Sequence, residues 1–176
     1  EVANRFQPSA THDDYFLSVG RLVPYKRVDL AVKACTRLNL PLKIAGKGRD
    51  IDSLREIAGP TVEFLGFVPD DDLPGLFARA KAFLFPGLED FGITPVQAQA
   101  AGRPVIAFRG GGAIDTVIEG KTGTFFDEQT VDSLAKTLQQ FDVSAYNPDD
   151  CRQHALSFDR HIFEQQLSAV IEKAYQ

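Results

Sequence analysis

The chain has 176 residues, of which 44% are hydrophobic and 24% charged, with a formal net charge of −5 and two cysteines. A chain of this length buries enough surface to fold as a single domain without disulfides or structural metal, and its composition excludes disordered, collagen-like and small disulfide-rich scaffolds. There is no basic surplus to neutralise a nucleic-acid backbone, so no nucleic acid is expected as a partner, and an anionic ligand has to be held by a few placed cations. Cys35 and Cys151 are far apart and read as free thiols of a reducing compartment. No apolar run reaches the roughly 18 residues of a membrane span. The chain opens Glu1-Val2 and contains no Met, which reads as a piece of a larger protein.

Residues 1–14 read as a linker: Asn4, Pro8, Ser9, Thr11, Asp13 and Asp14 are turn formers, and no apolar periodicity ties them to a core. From Tyr15 onward, short apolar runs alternate with helical spacings. Strands are predicted at Tyr15–Val19, Leu42–Ala45, Val62–Phe67, Ala82–Phe85, Pro104–Phe108 and Thr124–Phe126. Helices are predicted at Val28–Leu38, Ile51–Ala58, Asp70–Ala80, Pro95–Ala101, Ile114–Ile118, Val131–Phe141, Asp149–Leu156 and Arg160–Tyr175. Strands alternating with helices require crossovers and therefore a parallel sheet. Short apolar strands fit a doubly wound, Rossmann-like α/β sheet of about six strands, covered on both faces. Residues 15–158 would form this domain and 159–176 a terminal helix, whose apolar stripe (162, 163, 167, 170, 171 and 174) needs a partner.

In such sheets ligands bind outside the carboxyl ends of the strands. After the first strand comes Gly20-Arg21-Leu22-Val23-Pro24-Tyr25-Lys26-Arg27. Here Arg21 offers a planar fork and Lys26 a point charge for a diphosphate, the alternative being a solvated turn. After the second, Gly46-Lys47-Gly48 begins like a dinucleotide fingerprint, but Ile51 stands where the third glycine belongs, so a tight turn is the simpler reading. After the fourth comes Pro86-Gly87-Leu88-Glu89-Asp90-Phe91-Gly92-Ile93-Thr94-Pro95. These two acids and two glycines can present carboxylates to polyol hydroxyls, with free amides at the following helix start; alternatively, the acid pair is solvated. Gly110-Gly111-Gly112, after the fifth strand, either brings backbone close to a ligand or forms a mobile turn. His12, His154 and His161 lack metal-ligand spacing, as do the cysteines, and no metal is expected.

Taken together, these stretches resemble the carboxy-terminal domain of retaining glycosyltransferases of family 4, enzymes of the two-domain GT-B fold. The resemblance spans nearly the whole chain. It rests on Ser18-Val19-Gly20-Arg21 with Lys26, on Phe64-Leu65-Gly66-Phe67-Val68, on Glu89 through Pro95, on Ala98 to Pro104, and on Gly120-Lys121-Thr122-Gly123. It implies a nucleotide-sugar donor, GDP-mannose first and a UDP-hexose such as UDP-glucose second, with no cofactor and no metal. Arg21 and Lys26 would grip the diphosphate and stabilise the departing nucleotide. Glu89 would accept hydrogen bonds from the donor sugar. Gly20, Phe91, Gly92 and Ile93 would line the sugar and phosphates, and Gly66, Phe67 and Val68 would lie beside the base. The family's second glutamate, eight residues after the first, is replaced here by Gln97, which implies weaker donor binding.

The resemblance further implies a glycan or lipid-linked acceptor held by an amino-terminal domain that these residues do not supply. The piece alone should then bind donor without transferring sugar, and the terminal helix should pack across to that other domain. The intact enzyme would be cytoplasmic, with peripheral association at the inner face of the membrane. Two other readings fit the same architecture. One is half of a GT-B sugar-nucleotide epimerase, separable by incubating donor without acceptor. The other is a non-catalytic nucleotide-binding module, separable by titration with GDP, UDP and ADP.

Overall fold

A computed structural model describes residues 2–174. Six strands, β1 (Phe16–Val19), β2 (Leu42–Ala45), β3 (Val62–Gly66), β4 (Ala82–Phe85), β5 (Val105–Phe108) and β6 (Gly123–Phe126), form one parallel sheet in the order β3-β2-β1-β4-β5-β6. This is the expected doubly wound α/β architecture. The chain winds outward from β1 to one edge, then returns to start the other half at β4. Helices α1 (Val2–Arg5), α2 (Val28–Leu38), α3 (Ile51–Glu56), α4 (Leu73–Arg79), α5 (Ile93–Ala100), α6 (Ala113–Thr116), α7 (Val131–Gln140), α8 (Pro148–Leu156) and α9 (Arg160–Ala174) make up the connections and the carboxyl-terminal segment.

Alternation along the strands divides the core. Leu17, Phe83, Phe85, Val105 and Ala107 face one side, with Phe77 of α4 and Val96 and Ala98 of α5. Phe16, Leu42, Ile44, Leu84, Ile106 and Phe126 face the other, with α2 and with Leu134 and Leu138 of α7. Each of these large side chains contributes about 1.5–3 kcal/mol by leaving water. Burial on both faces explains why β4 reads as an uninterrupted apolar run.

Two boundaries differ from expectation for visible reasons. Helix α5 begins at Ile93, because Gly92 (φ 79°) turns the chain into it and Pro95 sits in the first turn, where a missing N–H costs nothing. Helix α4 begins only at Leu73, since the preceding acids form a turn in which the Asp72 amide donates to the Pro69 carbonyl.

The expectation that residues 1–14 make no core contact needs correction. Phe6 is buried and packs edge-on to Phe77 at 5.5 Å. The buried Arg103 guanidinium donates to the carbonyls of Ala78, Ser9 and Thr11. A single aromatic residue produces no periodicity, and a long-range arginine leaves no local pattern, so neither contact was visible in sequence.

Helix α9 leaves Phe163, Leu167, Val170 and Ile171 exposed. Part of its apolar stripe is thus exposed among the described residues. Tyr175, the expected last helical residue, lies outside the described residues. No helix among them is long and apolar enough to cross a membrane.

Candidate functional site

The two halves of the sheet diverge between β1 and β4, where neighbouring strands send their connections to opposite sides. That divergence opens a crevice at the carboxyl ends. A narrow notch occupies it, lined by Gly20, Arg21, Lys26, Pro86 and Glu89 above Phe85 and Ser18. Two cations from the loop after β1 and one acid from the loop after β4 therefore meet at a single point.

The loop after β1 is built by close approach. The Gly20 amide donates to Ala45 of β2, and the Leu22 amide to the Lys47 carbonyl at 3.0 Å. A side chain at Gly46 would overlap the Gly20 carbonyl. Gly46-Lys47-Gly48 is not the expected tight turn: it continues from β2 in backbone pairing that supports the Arg21 loop, and the turn follows it, where the Ile51 amide donates to the Gly48 carbonyl. A short 3₁₀ turn, Pro24–Lys26, carries Lys26 back over the notch. There its ammonium pairs with the Glu89 carboxylate. Arg21 is exposed, and its side chain has no hydrogen-bond or ion-pair partner among the described residues. The notch thus presents one neutralised cation and one open one. With the pair closed, ≈ 10 Å³ of free space remains, barely room for one water.

The Glu89 loop is held from several sides. A Cβ at Gly87 would press on the backbone of Tyr25 and Lys26, so glycine there lets the acidic loop lie against the basic one. The Gly112 amide donates to the Glu89 carbonyl at 2.8 Å, and a Cβ at Gly112 would collide with Asp90 and Phe91. The triple-glycine run is therefore a backbone clamp on the acidic loop. On the far side, Gln129 Nε2 donates to the Pro86 carbonyl at 2.9 Å. Sequence reasoning missed the supporting roles of Gly87 and Gln129. Gln129 follows two exposed acids, and nothing local singles it out.

The remaining expected site residues surround the notch without lining it. Gly66, Phe67 and Val68 end the edge strand β3, tied inward by the Gly46 amide donating to the Gly66 carbonyl. Phe67 is 67% exposed, and Lys47 Nζ stands 5.6 Å from its ring centre. Phe91 rests edge-on against Phe158 at 5.9 Å. Ile93 opens α5 and is exposed, and Gln97 lies one turn later on the same helix face. Phe91, Ile93, Phe158 and Phe163 border a separate apolar hollow of ≈ 630 Å³. Cys35 and Cys151 are buried, which pushes each thiol up to about 12 and leaves neither as a thiolate nucleophile.

The chain is 34% identical over 138 residues to the GDP-mannose-dependent alpha-(1-6)-phosphatidylinositol monomannoside mannosyltransferase of Mycolicibacterium smegmatis, a match covering 68% of this chain and 36% of that protein. It is 30% identical over 139 residues to the O-antigen chain mannosyltransferase B of Escherichia coli, covering 72% of this chain and 36% of the relative. The chain thus spans little more than a third of the length of these relatives. Among solved structures, sucrose-phosphate synthase from Thermosynechococcus elongatus superposes with a TM-score of 0.85 at 23% identity, over 98% of this chain and 50% of the other. Anabaena HepE in complex with UDP-glucose superposes with a TM-score of 0.77 at 22% identity, over 92% and 49%. These likenesses show the fold, one Rossmann-like half of a GT-B architecture. Residues 2–155 match the glycosyl transferases group 1 family, and the chain belongs to that family.

Proposed function

We propose that this chain binds the nucleotide-sugar donor of a retaining glycosyltransferase of family 4, and that another domain of the whole protein presents a glycan or lipid-linked acceptor. The observation that carries the reading is the meeting of Arg21, Lys26 and Glu89 where β1 and β4 diverge. Two cations fit the donor diphosphate, and they stabilise the negative charge that grows on the departing nucleotide. Glu89 is placed to receive hydroxyl hydrogen bonds from the hexose. The start of α5 adds the amides of Ile93 and Thr94, which have no intrahelical partner. Phe67, with Lys47 beside it, offers a flat apolar surface next to the base. Since Arg21 and Lys26 supply the positive charge, donor binding should need no metal.

GDP-mannose is the first donor to test, because two of the relatives named above are mannosyltransferases and one is named as GDP-mannose-dependent. The whole enzyme would act in the cytoplasm at the inner face of the membrane, and this portion alone would not transfer sugar. Calorimetric titration of the chain with GDP, UDP and ADP, then with GDP-mannose and UDP-glucose, in the presence of a chelator, tests the reading. Saturable binding of one nucleotide series, with the nucleotide-sugar bound more tightly than the bare diphosphate, is the expected result. Binding of none of them overturns it.

A further inference from the structure

We infer that Gln129 is a positioning residue that sets where the Glu89 carboxylate stands; the inference rests on the donor-binding reading for what Glu89 touches. Gln129 lies between β6 and α7, two strands away from β4, so its side chain reaches across the carboxyl end of β5 to the Pro86 carbonyl. Pro86 is buried and has no N–H, so this carbonyl is its one backbone polar group and has to be satisfied inside the protein. Pro86 is also the hinge at which the chain leaves β4 for the acidic loop. One residue on, Gly87 lies against Lys26, where a Cβ would come within 2.9 Å of the Lys26 Cα. Two residues further, the Glu89 carbonyl receives the Gly112 amide. Between these backbone contacts the loop has little freedom, and Gln129 anchors its root through a side chain.

The chemistry of the anchor is specific. The Pro86 carbonyl only accepts, so its partner has to donate, which a glutamine amide does and a carboxylate of the same shape does not. Gln129→Glu therefore places acceptor against acceptor at nearly unchanged volume. Gln129→Ala removes the contact altogether. In either variant the root of the loop loses its hold, and the Glu89 carboxylate moves relative to Lys26 and the sugar, while the cations after β1 stay in place.

Two measurements on the chain test this. In amide hydrogen exchange, the Gly112 amide, which donates to the Glu89 carbonyl, should exchange about three- to ten-fold faster in both variants than in wild type, the range for one lost neutral hydrogen bond, with β1 and β4 as protected as before. In calorimetry, affinity for GDP-mannose or UDP-glucose should fall by a similar factor, while affinity for the matching diphosphate does not fall, since Lys26 keeps its place and loses only its competitor. Unchanged exchange at Gly112 overturns the inference. So does protection lost across the whole sheet with both ligands weakened alike, because Gln129 would then be a general stabiliser. If wild type binds neither compound, the donor-binding reading fails, and the exchange result alone supports or overturns the hold of Gln129 on this loop.

Discussion

Lys26 and Glu89 close on each other across the notch between β1 and β4, so the acid masks the cation that a diphosphate would seek. Their side chains are 22% and 18% exposed. Both side chains are thus mostly buried, where a charge left without a partner is costly, so the pair opens only when another charge takes the place of one partner, as a phosphate on Lys26 would with hydrogen bonds worth roughly 1.5–3 kcal/mol each. A phosphate that replaces Glu89 on Lys26 leaves the carboxylate to be satisfied in turn by the hydroxyls of a sugar. Glu89→Gln should raise affinity for the bare diphosphate by up to about 1 kcal/mol and lower affinity for the nucleotide-sugar. If both ligands shift in the same direction, Glu89 makes no contact with the sugar.

The two cations should contribute separately. Arg21→Ala or Lys26→Ala should each weaken diphosphate binding by about 1.5–3 kcal/mol, and added salt should weaken wild-type binding further. The loss should be larger for Arg21→Ala, because that guanidinium has no partner to give up whereas Lys26 has Glu89. Diphosphate affinity that survives both changes would place the phosphates elsewhere.

How much of this was legible beforehand depended on the range of each interaction. The parallel sheet followed from short apolar runs alternating with helical spacings, a local property. Arg21, Lys26 and Glu89 could be singled out because ligand sites lie beyond strand ends, and the strand ends were readable. Their meeting point depends on β4 lying beside β1, an order that no local pattern encodes. Gly112 and Gln129 act on a loop reached only through that order, and so the glycine run stayed ambiguous and Gln129 went unnoticed. Phe6 was missed for a related reason: one buried ring among turn formers leaves no periodic signal.

Gln97 tests the departure from paired acids. Its side chain makes no hydrogen bond among the described residues and shares a face of α5 with exposed Ile93. Gln97→Glu should tighten nucleotide-sugar binding by no more than about 1–2 kcal/mol, the advantage of a charged over a neutral acceptor. Unchanged affinity would mean that this position does not touch the donor.

Two glycines should respond in opposite directions to the same change. Gly112→Ala forces a methyl group into Asp90 and Phe91, which should destabilise the chain by about 1–3 kcal/mol and disturb the acidic loop. Gly75 lies within α4, is exposed, and has open space where its Cβ would stand. Gly75→Ala should stabilise by about 0.4–1 kcal/mol through loss of unfolded-state freedom. Urea midpoints for the two variants check the pair, and a neutral Gly112→Ala would show that the clamp yields easily.

His154 should make the fold sensitive to mild acid. It lies on α8, its ring edge-on to Phe158 at 5.2 Å, and Phe158 in turn supports Phe91. Burial holds its pKa below the ordinary 6.5, opposed by a hydrogen bond to the Thr116 backbone and reinforced by the charge of Lys121. Its Nε2 is buried without an acceptor among the described residues, so a second ring proton gains no hydrogen bond in the fold. The unfolded chain takes up that proton as pH falls through 6.5, whereas the folded chain resists until lower pH. In that interval the unfolded state binds more protons, and stability rises with pH. The contribution is fully present above 6.5 and is lost as pH falls below it. Asp13, held low by its hydrogen bond to Arg79, acts only below 3.8 and does not overlap this window. Urea unfolding between about pH 7.5 and 5.5 should show wild type losing stability on acidification and His154→Gln losing distinctly less. Identical slopes in the two proteins would remove His154 from the dependence.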